Sequence, residues 1–195
     1  MPHPVSCRCG AVKGELSAGG THNRLVCYCK DCRAFARYLA ETPGILDAQG
    51  GTEIIQLAQA RLRFTQGEDQ LAAIRLSDKG LIRWYARCCQ TPIGNTLPNA
   101  KLSFIGMIHS CLQRERLDQD FGAAVALVHT GSALGEDKPE QRGMLKVGLK
   151  MAWILLSNWV GGGYRNSVLF GGAGLPCVEP KILNAAEAAE LKKIG

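Results

Sequence analysis

Seven of the nine cysteines in this 195-residue chain fall into three short groups whose spacing is that of metal ligands. Cys7-Arg8-Cys9-Gly10 is a C-x-C-G turn, Cys27-Tyr28-Cys29-Lys30-Asp31-Cys32 is C-x-C-x-x-C, and Cys88-Cys89 is an adjacent pair. A tetrahedral zinc takes sulfurs about 2.3 Å away, and one tight turn can present two or three thiolates to such a point. Cys27, Cys29 and Cys32 can fill three corners of one tetrahedron and leave the fourth for solvent or substrate, the layout of a catalytic site. Cys7 and Cys9 supply two ligands for another zinc, with Cys88 and Cys89 as remote partners. That second site would be structural, pinning the N-terminus to the end of the sheet. The bland alternative is a set of reduced core thiols, since buried cysteines often behave as small hydrophobes. An iron–sulfur cluster is the lesser option, because the spacing matches none of the usual ferredoxin patterns. Cys111 and Cys177 stand alone and are expected to be packing residues.

The surroundings of these groups narrow the setting. Met1 to Ser6 carries no apolar run of the kind a secretory signal needs, so a cytoplasmic protein with reduced thiols or metal thiolates is expected. Met151 to Tyr164, the longest apolar stretch, is shorter than the roughly 20 residues of a membrane span. Lys and Arg exceed Asp and Glu by 23 to 17, but the +6 is spread along the chain with no polybasic block. A small acidic partner fits that distribution better than nucleic acid or a membrane.

Elements that could position the cysteines follow from pattern and turn signals. The first half reads as short strands: Ala11 to Leu16, Arg24 to Tyr28, Glu53 to Leu57, Arg61 to Thr65, Leu71 to Leu76 and Leu81 to Ala86. One helix, Lys30 to Leu39, interrupts them and is ended by Pro43-Gly44. After a boundary near Pro98, Lys101 to Ile108 is one more strand candidate, and Gln113 to Val128 and Met144 to Val160 read as helices. Asn184 and Glu187 have the spacing of a helix N-terminal cap, so Ala185 to Ile194 is expected to form a terminal helix. The expected architecture is mainly β, with a zinc-binding unit over residues 1–97 and a mostly helical extension over 98–195. The apolar segment Met151 to Val160 is expected to pack in a core or in a homodimer interface.

With its elements in place, the cysteine order resembles a known group. C-x-C-G, then C-x-C-x-x-C-R, then an Arg-aromatic-aromatic segment leading into cysteine is similar to the glutathione-dependent formaldehyde-activating enzyme family, which includes the centromere protein V-like domains. The resemblance covers about residues 5–97 and implies a β-tent fold with two zinc sites, one structural and one facing substrate. It implies that Cys27, Cys29 and Cys32 hold the catalytic zinc and that Cys7 and Cys9 are half of the structural one. The family's closing motif is R-x-F-C-x-x-C-G, against which Arg83-Trp84-Tyr85-Ala86-Arg87-Cys88-Cys89-Gln90 aligns. Cys89 matches the second cysteine, Ala86 stands where the first should be, and Gln90 replaces the glycine. Either Cys88 supplies the missing ligand from the next-but-one position, or the structural site is left incomplete.

The implied activity is that of a carbon–sulfur lyase joining formaldehyde to glutathione or another small thiol. Zinc would lower the thiol's pKa or polarise the aldehyde oxygen. Arg33, which follows Cys32 directly, is the candidate clamp for a substrate carboxylate, with Lys30 and Arg37 beside it and Arg83 and Arg87 beside the second cysteine group. The four histidines belong to no compelling spacing, and His22 is the one that could lie near the zinc loop. The competing reading is a zinc-stapled binding module without catalysis. Nucleic-acid binding finds little footing, since no basic stripe with interleaved aromatics occurs.

Overall fold

The computed structural model describes residues 1–40, 42–124 and 126–193. In chain order its elements are β1 (His3–Ser6), β2 (Lys13–Leu16), β3 (Asn23–Cys27), α1 (Lys30–Tyr38), α2 (Thr42–Ile45), β4 (Thr52–Ala58), β5 (Leu62–Gln66), β6 (Leu71–Arg75) and β7 (Ile82–Ala86). Then follow β8 (Thr91–Thr96), β9 (Phe104–Ile108), α3 (Leu117–Phe121), β10 (Ala126–Val128), α4 (Met144–Val160), β11 (Lys181–Ile182) and α5 (Ala185–Lys193). The protein is mainly β, as expected, with a C-terminal helical segment. Among the described residues, no helix is long and apolar enough to cross a membrane.

Eight strands form one mixed sheet in the order β10-β3-β4-β9-β8-β7-β6-β11, and β1-β2-β5 form a second, smaller sheet. The six central strands of the large sheet are antiparallel; β10 joins β3, and β11 joins β6, in parallel. Chain beyond residue 97 therefore supplies β9 to the middle of this sheet and a strand to each edge.

Period-two alternation divides the sheet's two faces. On one face Ile55, Leu57, Trp84, Ile93, Ile105 and Met107 meet Val5, Leu16, Leu62 and Phe64 of the small sheet in one buried core. Trp84 anchors it: the indole is fully buried, donates from Nε1 to Thr96 Oγ1 at 3.0 Å, and meets the Phe170 ring edge-on at 6.3 Å. The opposite face is shared between two smaller clusters. One lies under α1 and α5, around Phe35, Leu39, Ile74 and Leu183. The other surrounds Leu25, Cys27, Cys32 and Ile54.

Three departures from the sequence expectation have physical causes. Of the helix expected over Gln113 to Val128, a 3-10 turn at Arg114–Arg116 and the α-helical turn Leu117–Phe121 form, and Gly122 at φ 67 stops it. Ala126–Val128 then pairs with β3, where unpaired backbone groups of a sheet edge outweigh the helical preference of an alanine-rich stretch. β8 went unexpected because Pro92 and Gly94 argue against an inner strand. It is accommodated by a bulge at Trp84/Tyr85 that sets Pro92 opposite Tyr85, outside the residues that pair with β9. Cys177, expected to pack inside, is exposed. The terminal cap forms as anticipated: Asn184 and Glu187 exchange side chain-to-backbone bonds of 2.9 Å each; Ile194, included in the expected helix, lies outside the described residues.

Two outcomes test this packing. Trp84→Ala should destabilise the fold by about 3–5 kcal/mol in urea unfolding, through lost contacts and an unfilled cavity. His3, buried in β1, bonds Asp120 Oδ2 at 2.7 Å, and this bond, opposed by desolvation and helped by Arg116, holds the Asp120 carboxyl below the usual carboxylate range. A depressed folded-state pKa stabilises above the unfolded value and is lost as pH falls through the folded one. Asp120→Asn should therefore lower the thermal midpoint near neutral pH, with the gap to wild type closing below about pH 4.

Candidate metal centres and the cavity beside them

The first cysteine group is assembled from two turns. Between β1 and β2 the chain folds back with Gly10 N–H donating to Cys7 O at 3.0 Å, Gly10 sitting at φ 76. Between β7 and β8 the turn carries Cys88 and Cys89. Sulfur separations are 3.6 Å for Cys7–Cys9, 3.4 Å for Cys9–Cys88, 3.9 Å for Cys7–Cys88 and 3.8 Å for Cys88–Cys89. A tetrahedron of sulfurs around zinc has edges of about 3.8 Å, so the donor set and its size fit such an ion. All four thiols lie within 4.8 Å of one another and could hold a metal ion. Cys88, not position 86, joins Cys89 here, since Ala86 is fully buried in the core. Gln90, where the resemblance expects glycine, takes φ 56, the left-handed region that glycine enters without strain.

Cys27, Cys29 and Cys32 form the second group, again within 4.8 Å of one another. Cys27 ends β3, Cys29 caps α1, and Cys32 lies in that helix's first turn. Cys29 Sγ accepts from Cys32 N–H at 3.4 Å, and the two sulfurs are 3.3 Å apart. Hydrogen bonds from Cys27 and Cys32, with Arg83 nearby, hold the Cys29 thiol below its ordinary range. The bonds to Cys29 and Cys32, together with burial, push Cys27 up. The crowd thus accommodates one thiolate readily and opposes the next, and a bound dication would offset that repulsion.

These three cysteines form part of the wall of a cavity of about 290 Å³. Its floor is one transverse row of the sheet: Arg83 pairs with Asn95, Asn95 with Gly106, and Gly106 with Gln56. Arg83 alternates with Trp84, so the residue beside the core's anchor faces the cysteines. Its guanidinium is buried, donates to Asn95 Oδ1 at 3.2 Å, sits 3.9 Å from Asp31 and lies over the Phe35 ring at 5.6 Å. Leu25, Ile54, Leu81 and Phe104 make much of the remaining lining, with Met144 and Val147 of α4, and His129 also belongs to it.

Arg33 does not line this cavity; it is buried and donates to the carbonyls of Tyr28 at 2.8 Å and Ser132 at 2.6 Å. Arg37 is bonded to Leu191 O and Arg87 to Asp69 O. His22 bonds Phe121 O, away from the cavity. Arg83, which sequence proximity assigns to the Cys88-Cys89 group, belongs spatially to the other one. Strand alternation was the signal that could have separated it from Trp84; nothing in the sequence says which face meets Cys27.

A profile of DUF6151, a family of unknown function, matches residues 2–144. The chain belongs to this family. All seven clustered cysteines lie inside the match, which ends on the first residue of α4. No curated protein matches the chain. A structural-genomics crystal structure of a Rhodobacter sphaeroides protein is similar over 56% of this chain and 87% of its own, at 19% identity and a TM-score of 0.41. The matched family is thus DUF6151 and not the formaldehyde-activating family, whose resemblance rests on the cysteine framework.

Variants separate the two groups. Cys88→Ser should lose one bound metal per chain and about 5–10 °C of thermal midpoint, because its site joins two turns. Cys32→Ser should lose the other metal, and Cys111→Ser, a buried thiol outside both groups, should lose neither. Elemental analysis alongside thermal unfolding reads all three.

Proposed function

We propose that this DUF6151 chain is a zinc-dependent enzyme of carbon–sulfur chemistry that adds an aldehyde to a small thiol, or removes it, in a reducing compartment. Cys27, Cys29 and Cys32 would hold the zinc of the reaction, and Cys7, Cys9, Cys88 and Cys89 a second, structural zinc. What supports the reading is one observation: three cysteines, their sulfurs within 4.8 Å of one another, line a cavity of about 290 Å³ together with the buried Arg83. Three protein ligands leave room for an exchangeable fourth, unlike the four-sulfur group. Bound zinc would supply a substrate thiolate at neutral pH by lowering the thiol's pKa.

The chain's own residues then have defined work. Arg83, oriented by Asn95, is placed to pair a substrate carboxylate or to steady an oxygen that gains charge. Leu25, Ile54, Leu81 and Phe104 keep water from the adduct. His129 is exposed as well as lining the cavity, which places its ring between solvent and the reacting atoms. In the addition, the thiol sulfur forms a bond to the aldehyde carbon, the carbonyl π pair moves to oxygen, and the thiol proton ends on that oxygen. The reverse reaction releases aldehyde and thiol. The resemblance makes glutathione and formaldehyde the first pair to assay.

Protein purified without added metal should carry two zincs per chain and consume free formaldehyde only when a thiol is present. Arg83→Gln should keep both zincs and lose about 100-fold in kcat/KM. Activity surviving in Cys32→Ser would refute the assignment. Two zincs with no thiol-dependent loss of aldehyde would reduce the protein to a zinc-stapled binding module.

A further inference from the structure

α4 presents a face that the other described residues leave bare. Leu145, Leu149, Trp153, Leu156, Trp159 and Val160 follow one another at helical spacing, and each is between 53% and 78% exposed. Side chains of this size leave on the order of 800 Å² of apolar surface open, above the largest patch usual on a monomer. The opposite face of the helix is fixed to the body: Ile154 is buried, Asn158 donates to Ser103 O at 2.8 Å, and Lys150 donates to His22 O at 3.1 Å.

We infer that a second copy of this chain covers the face, α4 packing antiparallel against α4 about a twofold axis near Ala152. Three observations select that occupant. The exposed area matches the roughly 800 Å² that each partner contributes to a standard stable interface. The stripe is self-complementary about Ala152, Leu145 and Leu149 of one helix meeting Trp159 and Leu156 of the other. Beside the axis, Gly148 has, among the described residues, nothing within 4 Å of where a Cβ would stand, so two backbones can approach closely. The chain's own C-terminal helix is engaged elsewhere, since α5 packs on α1 with Arg37 bonded to Leu191 O. A bilayer surface is the poorer fit, because helices that lie on lipid carry many basic residues, and Lys146 is the one basic residue on the exposed positions of α4. Met144 and Val147, in the first turn of this helix, line the cysteine cavity, so the interface runs to the cavity's rim.

Sedimentation equilibrium of the full chain at micromolar concentration tests the pairing. Wild type should weigh twice the 21.0 kDa of one chain, and Leu149→Glu/Trp153→Glu should weigh 21.0 kDa with its metal content unchanged. Should the double variant fail to fold, Ala152→Arg, at an exposed position of the same stripe, takes its place with the same expected halving of mass. A monomeric wild type overturns the inference, as does a dimer that survives either folded variant. A monomer that co-sediments with vesicles of phosphatidylcholine and phosphatidylglycerol also overturns it and assigns the face to lipid.

Discussion

Two turns distant in sequence must meet at four sulfurs, and the relation between the two sheets depends on that closure. Cys9 and Cys88 are 79 positions apart, yet their sulfurs stand 3.4 Å from each other. Closing so long a stretch of chain costs conformational entropy, and weak thiol hydrogen bonds return little of it. An ion shared by four thiolates would change that balance, because binding free energy at a site made only in the folded state is folding free energy. The small sheet then lies where Val5, Leu16, Leu62 and Phe64 complete the core around Trp84. Burial and sulfur convergence select the same arrangement, and neither has to strain the other.

The large sheet performs two jobs because its strands alternate. One face is an apolar core; the other carries a polar row from Arg83 to Gln56 under the three-cysteine cavity. Buried polar groups cost free energy unless paired, and this row is paired: Arg83 with Asn95, and Gln56 with the amide of Asn23 at 3.1 Å. Leucine or valine at these positions would pack more cheaply. A guanidinium held there by Asn95 is therefore a costlier choice than the core alone requires.

Much of this was legible from residue types alone. The three cysteine groups converge in the two sets their spacing suggests, and α4 begins and ends at Met144 and Val160, where the apolar pattern does. Most inner strands also fell near their expected positions, because each is bounded by turn residues. What escaped notice depended on tertiary context. Pro92 hid β8, since only the opposing bulge shows how a proline fits there. The alanine-rich stretch before Val128 reads as helix until the open edge of β3 claims it. The position of Arg83 illustrates the general case: alternation tells which residues share a face, but not what that face will meet.

The parallel strands at the two sheet edges have a consequence for synthesis. By residue 108 the six antiparallel strands are all present, but β10 and β11 do not follow until residues 126 and 181. A chain emerging in order therefore passes through a stage in which a nearly complete sheet displays both β3 and β6 as open margins. Unpaired margins of this kind recruit other chains, and a nascent polypeptide holding them is at its most aggregation-prone. The C-terminal third thus acts on its own leading part as a late-arriving hem, so premature termination in that region would leave one or both margins unsewn and favour insolubility.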